Sequence, residues 1–236
     1  EALLNYLGRM AWSMPDEREQ FDLSEMLEHF DLDRISLGGP VFDVTKLEWL
    51  NGVWLRDGLT EDEYAQRVMD WAFNREFLGQ IIPLVRQRAN KLTDLAPLAS
   101  FFLQGLIDLK PEDLQGFKGI ESDDETRRIL TWSLWHLEAL AEWEADGIQA
   151  VLREMAEIMG VKLRVLLAPF FVALSGQRSS TPLFQTMGIL GKDIVRARIR
   201  HAVDTLAPIS KKEQGRWQKA YDQAVAAHVA ALAAQG

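Results

Sequence analysis

The chain has 236 residues, 47% of them hydrophobic, a formal net charge of -9 and no cysteine. That length supports one to three small domains with their own cores, and the missing cysteines exclude a disulfide frame, a thiol nucleophile and a thiolate metal site. The acidic balance excludes a generic nucleic-acid coat, which would be basic, but leaves room for a locally basic RNA-reading surface.

The first residues, EALLNYLGRMA, place Leu3, Leu4, Leu7, Met10 and Ala11 at helical spacing. They show no basic-then-apolar-then-small signal pattern and no starting Met, and read as the interior of a longer, cytoplasmic protein. Leu37-Gly-Gly-Pro40 has neither a Lys nor a preceding strand and reads as a turn, not a phosphate loop. Asp43 caps a helix running through Leu47, Leu50, Val53 and Trp54, with Asn51-Gly52 inside it. Thr60-x-x-Glu63, Ser122-x-x-Glu125 and Ser210-x-x-Glu213 each have the form of a capping box. Gly160 closes a helix from Ile148 to Met159, and the Ala-rich segment 220–234 is a strong helix former that either lies along the body or frays. No alternating strand is legible, and no apolar run approaches the roughly 18–20 residues of a membrane span. The expected class is all-α, with breaks at Arg56-Asp-Gly58, Lys118–Ser122 and Ala207–Ser210.

Covalent chemistry is missing. The four histidines, at 29, 136, 201 and 228, are scattered, no H-E-x-x-H or G-x-S-x-G occurs, and His136 among Trp132, Leu134 and Trp135 reads as a packed helix residue. No metal ligand set is expected. The cations are uneven: Arg75, Arg86, Arg88 and Lys91 stand against Glu76 alone, and Lys192, Arg196, Arg198 and Arg200 against Asp193. Both clusters are candidate phosphate-contacting surfaces.

The specific stretch is EALLNYLGRMAWSMPDE followed by FDLSEMLEHFDLDRISLGGPVFDVTKLEWLNGVWLR, residues 1–17 and 21–56. It resembles the region of bacterial glutamyl-tRNA synthetases that follows the catalytic KMSKS-type loop, with Ala11-Trp12-Ser13 where the family more commonly has Gly-Trp-Ser. The resemblance continues through Ala168–Gly176, Thr181-Pro-Leu-Phe184 and Gly188–Lys192. It implies a stem-contact helical domain at 1–58 and an α-helix cage of two anticodon-binding domains at 59–121 and 122–208. A C-terminal helical extension covers 209–236. The family's enzyme joins glutamate to tRNA(Glu) with ATP and Mg. Its HIGH and KMSKS signatures do not occur in this sequence. The chain is therefore expected to be a monomeric tRNA binder that needs no cofactor of its own and is inactive alone.

In that family an arginine reads the third anticodon base. Leu84-Val-Arg86-Gln-Arg88-Ala-Asn-Lys-Leu92 carries the motif, and Arg88 matches the reader, with Arg86 beside it. A guanidinium only donates, so it suits cytosine's O2 and N3 and confronts the N1–H and N2–H₂ donors of guanine. Phe171 stands where the family commonly has an arginine, either as a base-stacking platform or as core. Arg178 is a candidate replacement for the lost charge. Ser180, Thr181, Pro182, Leu183 and Phe184 occupy the place where the family cups the first two anticodon bases, with the proline displaced by one position. Lys91, Lys192, Arg196, Arg198 and Arg200 are the expected phosphate contacts. Two other readings are open: a synthetase portion that also accepts tRNA(Gln), and a helical protein-interaction module without RNA.

Overall fold

Side-chain caps begin the helices that the sequence marks. In the computed structural model, which describes residues 1–36 and 38–234, Thr60 accepts the Glu63 N–H (3.3 Å) and the Glu63 carboxylate accepts the Thr60 N–H (2.8 Å). The other two expected boxes are half-built. Ser122 accepts the Glu125 N–H, but the Glu125 carboxylate reaches one residue further back, to the N–H of Glu121 (2.9 Å). Ser210 accepts the Glu213 N–H, and the Glu213 carboxylate is diverted to Arg127 (3.2 Å). Eleven α-helices and no strand occur among the described residues, so the chain is all-α. None of these helices is long and apolar enough to cross a membrane. The expected turn at Leu37-Gly-Gly-Pro40 begins on Leu37, which lies outside the described residues, as do the last two residues of the extension.

Two compact units divide the chain, Glu1–Asn74 and Arg75–Gly236. The first holds α1 (Ala2–Ala11), α2 (Leu23–His29), α3 (Val44–Asp57) and α4 (Glu61–Trp71). Its small core is Trp12, Met14 and Phe21, with Met26 against it. At Gly8 a Cβ would come within 2.9 Å of the Met26 sulfur, so the glycine lets α1 approach α2. The leucines of α1 are not the buried face: Leu3, Leu4 and Leu7 are about half exposed, whereas Ala2, Asn5 and Tyr6 are buried. A buried amide must be satisfied, and Asn5 is. Its Nδ2 donates to the Glu19 carbonyl (3.1 Å), and its Oδ1 accepts from Trp54 Nε1 (3.1 Å) and the Phe21 N–H (3.4 Å).

The second unit begins with α5 (Arg75–Val85) and the short α6 (Leu95–Ala99), then builds on α7 (Asp123–Glu138), α8 (Ala145–Ile158), α9 (Leu163–Ser175) and α10 (Leu183–Leu206). Apolar residues at helical spacing meet in one core: Ile129, Leu130 and Leu137; Ile148, Leu152 and Met155; Leu166, Phe170 and Leu174; Met187, Val195 and Ile199. Each is fully buried and stabilises by about 1.5–3 kcal/mol before entropy is counted. Gly191 interrupts α10 at φ 80°, a left-handed backbone that a side chain would strain. The tail does not fray. As α11 (Lys211–Ala233) it packs on α8, buries Trp217, and sets Tyr221 edge-on to Trp132 and Trp135. His136 is the packed histidine that the sequence suggests: its Nδ1 lies 2.8 Å from the Tyr221 hydroxyl and its Nε2 3.2 Å from Glu154.

Candidate nucleic-acid interface

Helix α5 runs to Val85, whose buried side chain, with Ile81, fixes its last turn to the core. The chain then leaves in a hydrogen-bonded turn: the Arg86 N–H donates to the Ile82 carbonyl and the Arg88 N–H to that of Val85, both at 2.9 Å. Asp94 closes the next bend, its Oδ2 accepting the N–H groups of Asn90 (2.9 Å) and Lys91 (3.1 Å). With that carboxylate committed to backbone, Arg86, Arg88 and Lys91 are exposed and form no ion pair among the described residues. Three cations thus project from a backbone held at both ends, the arrangement an anion-reading site needs.

The second candidate segment follows α9. Gly176 takes φ 71°, and a Cβ there would lie 3.1 Å from Ile107, so the turn needs glycine twice over. Arg178, next in the loop, is exposed but anchored: Nη2 donates to the Gln115 carbonyl (2.6 Å), and the guanidinium stands 4.8 Å from the Phe117 ring centre. Phe171 is half-buried and packs against the core beside the fully buried Phe170. Ser180, Thr181 and Leu183 are 7%, 2% and 5% exposed, too little to cup a base. They build the loop. The Thr186 hydroxyl donates to the Pro182 carbonyl (2.8 Å), which leaves the Thr181 hydroxyl to donate to Thr186 (2.6 Å). Phe184 is half-buried against the core, and Pro182 alone of the five is exposed.

The cluster at 192–200 is corrected most. Arg198 is 0% exposed and cannot meet a phosphate. Its Nε donates to the Gly105 carbonyl (2.7 Å), Nη1 to Leu174 (2.5 Å), and Nη2 to Phe101 and Gln104 (both 2.6 Å). No carboxylate joins it, and burial lowers its pKa to about 10, still high enough to keep the charge near neutrality. The four carbonyls replace its hydration shell, and the residue clasps the 101–105 segment to the end of α9. Lys192 Nζ donates to the carbonyls of Glu138 and Leu140 (both 3.0 Å), closing the C-terminus of α7 where a cation is favoured. Arg196 and Arg200 share the Glu138 carboxylate at 3.4 and 3.1 Å. Of the four expected phosphate contacts in this cluster, only Arg200 is exposed, and it is already paired.

No group of three or more metal-ligating side chains is assembled among the described residues. Missed by sequence reasoning was Arg127, buried beneath α11, where it binds Glu213, Asp124 and the Ala207 carbonyl. Its signal was available: an arginine at helical spacing with the apolar Leu130 and Leu134 of α7, and a capping glutamate in Ser210-x-x-Glu213 for it to recruit.

The anticodon binding domain family matches residues 63–203, more than half of the chain. The chain belongs to that family. The glutamate–tRNA ligase of Marinomonas sp. (strain MWYL1) is 51% identical over 222 residues, 94% of this chain and 44% of that protein. That of Pseudomonas entomophila (strain L48) is 48% identical over 93% of this chain and 44% of its own length. The chain thus spans less than half the length of these curated relatives. A solved glutamate tRNA ligase from Elizabethkingia meningosepticum, in complex with its amino acid, superposes with a TM-score of 0.51 at 24% identity, over 87% of this chain and 41% of that one. That likeness is one of fold. Within the anticodon binding domain match lie the Arg86–Lys91 turn, the loop after α9 and the Arg198 clasp, so both candidate segments and the residue that holds one of them belong to the family region.

Proposed function

We propose that the chain is the tRNA-binding, anticodon-recognising portion of a glutamate–tRNA ligase, and that Arg88 reads the third anticodon base of tRNA(Glu). Residues 1–58 would contact the stem, 59–121 and 122–208 the anticodon, with 209–236 as an extension. ATP, Mg and glutamate would be handled by the enzyme's catalytic part, in the cytoplasm, by a monomer. The observation that carries the reading is the unpaired guanidinium of Arg88 on a turn whose backbone is fixed on both sides. A donor-only group held in that way favours the acceptors of cytosine over the donors of guanine by roughly 1–3 kcal/mol once water is excluded. Arg86 and Lys91 flank it, and Arg178 and Pro182 are what the second loop presents to solvent.

Fluorescence anisotropy with tRNA(Glu), tRNA(Gln) and tRNA(Asp) tests the reading. The expected order places tRNA(Glu) first. Equal binding of all three defeats base reading by Arg88, and no binding of any defeats the tRNA role itself.

A further inference from the structure

Not all of the cations left unpaired by the fold lie where the sequence clusters them. Residues 115–119 are fastened to α9 at two places. At one end Arg178, just past the helix, donates to the Gln115 carbonyl and stands over the buried ring of Phe117. At the other, Gly119 at φ 89° lies so close to α9 that a Cβ would sit 3.2 Å from Val165 Cγ2. That contact seats Lys118 beside the first turn of α9, where Lys162 and Arg164 are exposed. Among the described residues the side chains of Lys118, Lys162 and Arg164 form no hydrogen bond or ion pair.

Three carboxylates near this segment accept hydrogen bonds from residues close by. Asp113 accepts the Lys110 N–H (2.9 Å), Asp123 accepts from the Gln115 amide (2.7 Å), and Glu125 accepts the Glu121 N–H (2.9 Å). From Arg178 to Lys162 the row follows α9, whose 13 residues span about 20 Å. At its Arg178 end Gln177 donates to the Pro97 carbonyl (3.4 Å), which joins the row to the segment that follows Arg88.

We propose that Lys118, Lys162 and Arg164, continuing from Arg178, form a phosphate-binding strip that holds the RNA backbone beside the anticodon loop. The inference rests on the tRNA reading above and adds residues that neither sequence cluster contains. Phosphodiester backbone is the ligand this chemistry fits: flexible point charges in a row, without a pocket to select a base, make contacts that position the nucleic acid without specifying it.

The test is the salt dependence of tRNA(Glu) binding by the 236-residue chain between 50 and 200 mM salt. Each lost phosphate contact should lower the slope of log K against log salt by roughly 0.7–0.9, so K118Q/K162Q/R164Q should lower it by about 2–3 and weaken binding roughly 10- to 100-fold at 100 mM. A matched triple, K211Q/K212Q/K219Q on the exposed side of α11, should retain the parental slope. A strip variant with the parental melt and the parental slope overturns the proposal, and so does an equal fall in the α11 control, which would make the effect one of net charge. A parent chain that binds no tRNA takes down the functional reading and the strip together.

Discussion

Arg86–Lys91 and Lys192–Arg200 look alike in sequence and have opposite fates in the fold. The first is a turn: its amides are consumed by Ile82, Val85 and Asp94, and its side chains face water. The second is one flank of a long helix set against the C-terminus of α7. There two backbone carbonyls hold Lys192 and the Glu138 carboxylate pairs with Arg196 and Arg200, while Arg198 is buried on the carbonyls of Phe101, Gln104, Gly105 and Leu174. Positive charge in a sequence therefore measures supply, and what reaches a ligand is the part that the fold's own acceptors leave over.

Removing Arg198 tests the strongest half of that contrast. Arg198→Ala leaves a cavity and buried carbonyls at Phe101, Gln104, Gly105 and Leu174, and should destabilise the second unit by roughly 3–5 kcal/mol in urea melts. A loss under about 1 kcal/mol would mean that those carbonyls do not depend on it.

Arg127 sharpens the comparison because it is buried too, yet it has a carboxylate. Its hydrogen bond holds Glu213 below the ordinary 4.5. A carboxyl with a depressed folded-state pKa contributes fully above its unfolded value and loses that contribution as pH falls through the folded one. Protection of the amides over 211–233, with exchange referred to the intrinsic rate at each pH, should thus be high near neutrality and fall below about pH 4.5. Glu213→Gln should cost about 2 kcal/mol near neutrality and flatten the acid response. Protection that is indifferent to pH and to that substitution would detach α11 from the pair.

On the exposed side, Arg88→Gln should weaken tRNA(Glu) by roughly 1–2 kcal/mol, leave tRNA(Gln) no worse, and leave melting unchanged. Equal losses for both RNAs would make Arg88 a phosphate contact. The smallest effect belongs to Arg200→Gln, where Glu138 already holds the guanidinium: under about 0.5 kcal/mol in stability and no change in salt slope. A slope lowered by about one would place Arg200 on the RNA and end the contrast.

The helices were legible because their signals are local: Asp43, Thr60 and Ser210 cap as the spacing implies, and the helix ending at Gly160 lies where its glycine marks it. What escaped depends on pairs distant in the chain. Nothing near Arg198 announces that residues 101–105 supply its acceptors, and nothing near Glu213 announces Arg127. The leucines of α1 misled for a related reason: the side that is buried was chosen by an asparagine with partners elsewhere. The bonds of the Arg86–Lys91 turn all close within a few residues, but it was the family resemblance that singled out Arg88.

Asn5 carries a consequence for how the first unit comes to exist. Its acceptor is shared by Phe21 and by Trp54, 49 positions later, and its donor waits for Glu19. During synthesis the amide can meet Glu19 and Phe21 early, but its bond to Trp54 waits until α3 has emerged, and closing so long a loop is slow compared with winding a helix. Partial versions of this unit should accordingly be short-lived: α1 and α3 gain their burial together, in one cooperative step that waits on the last turn of α3.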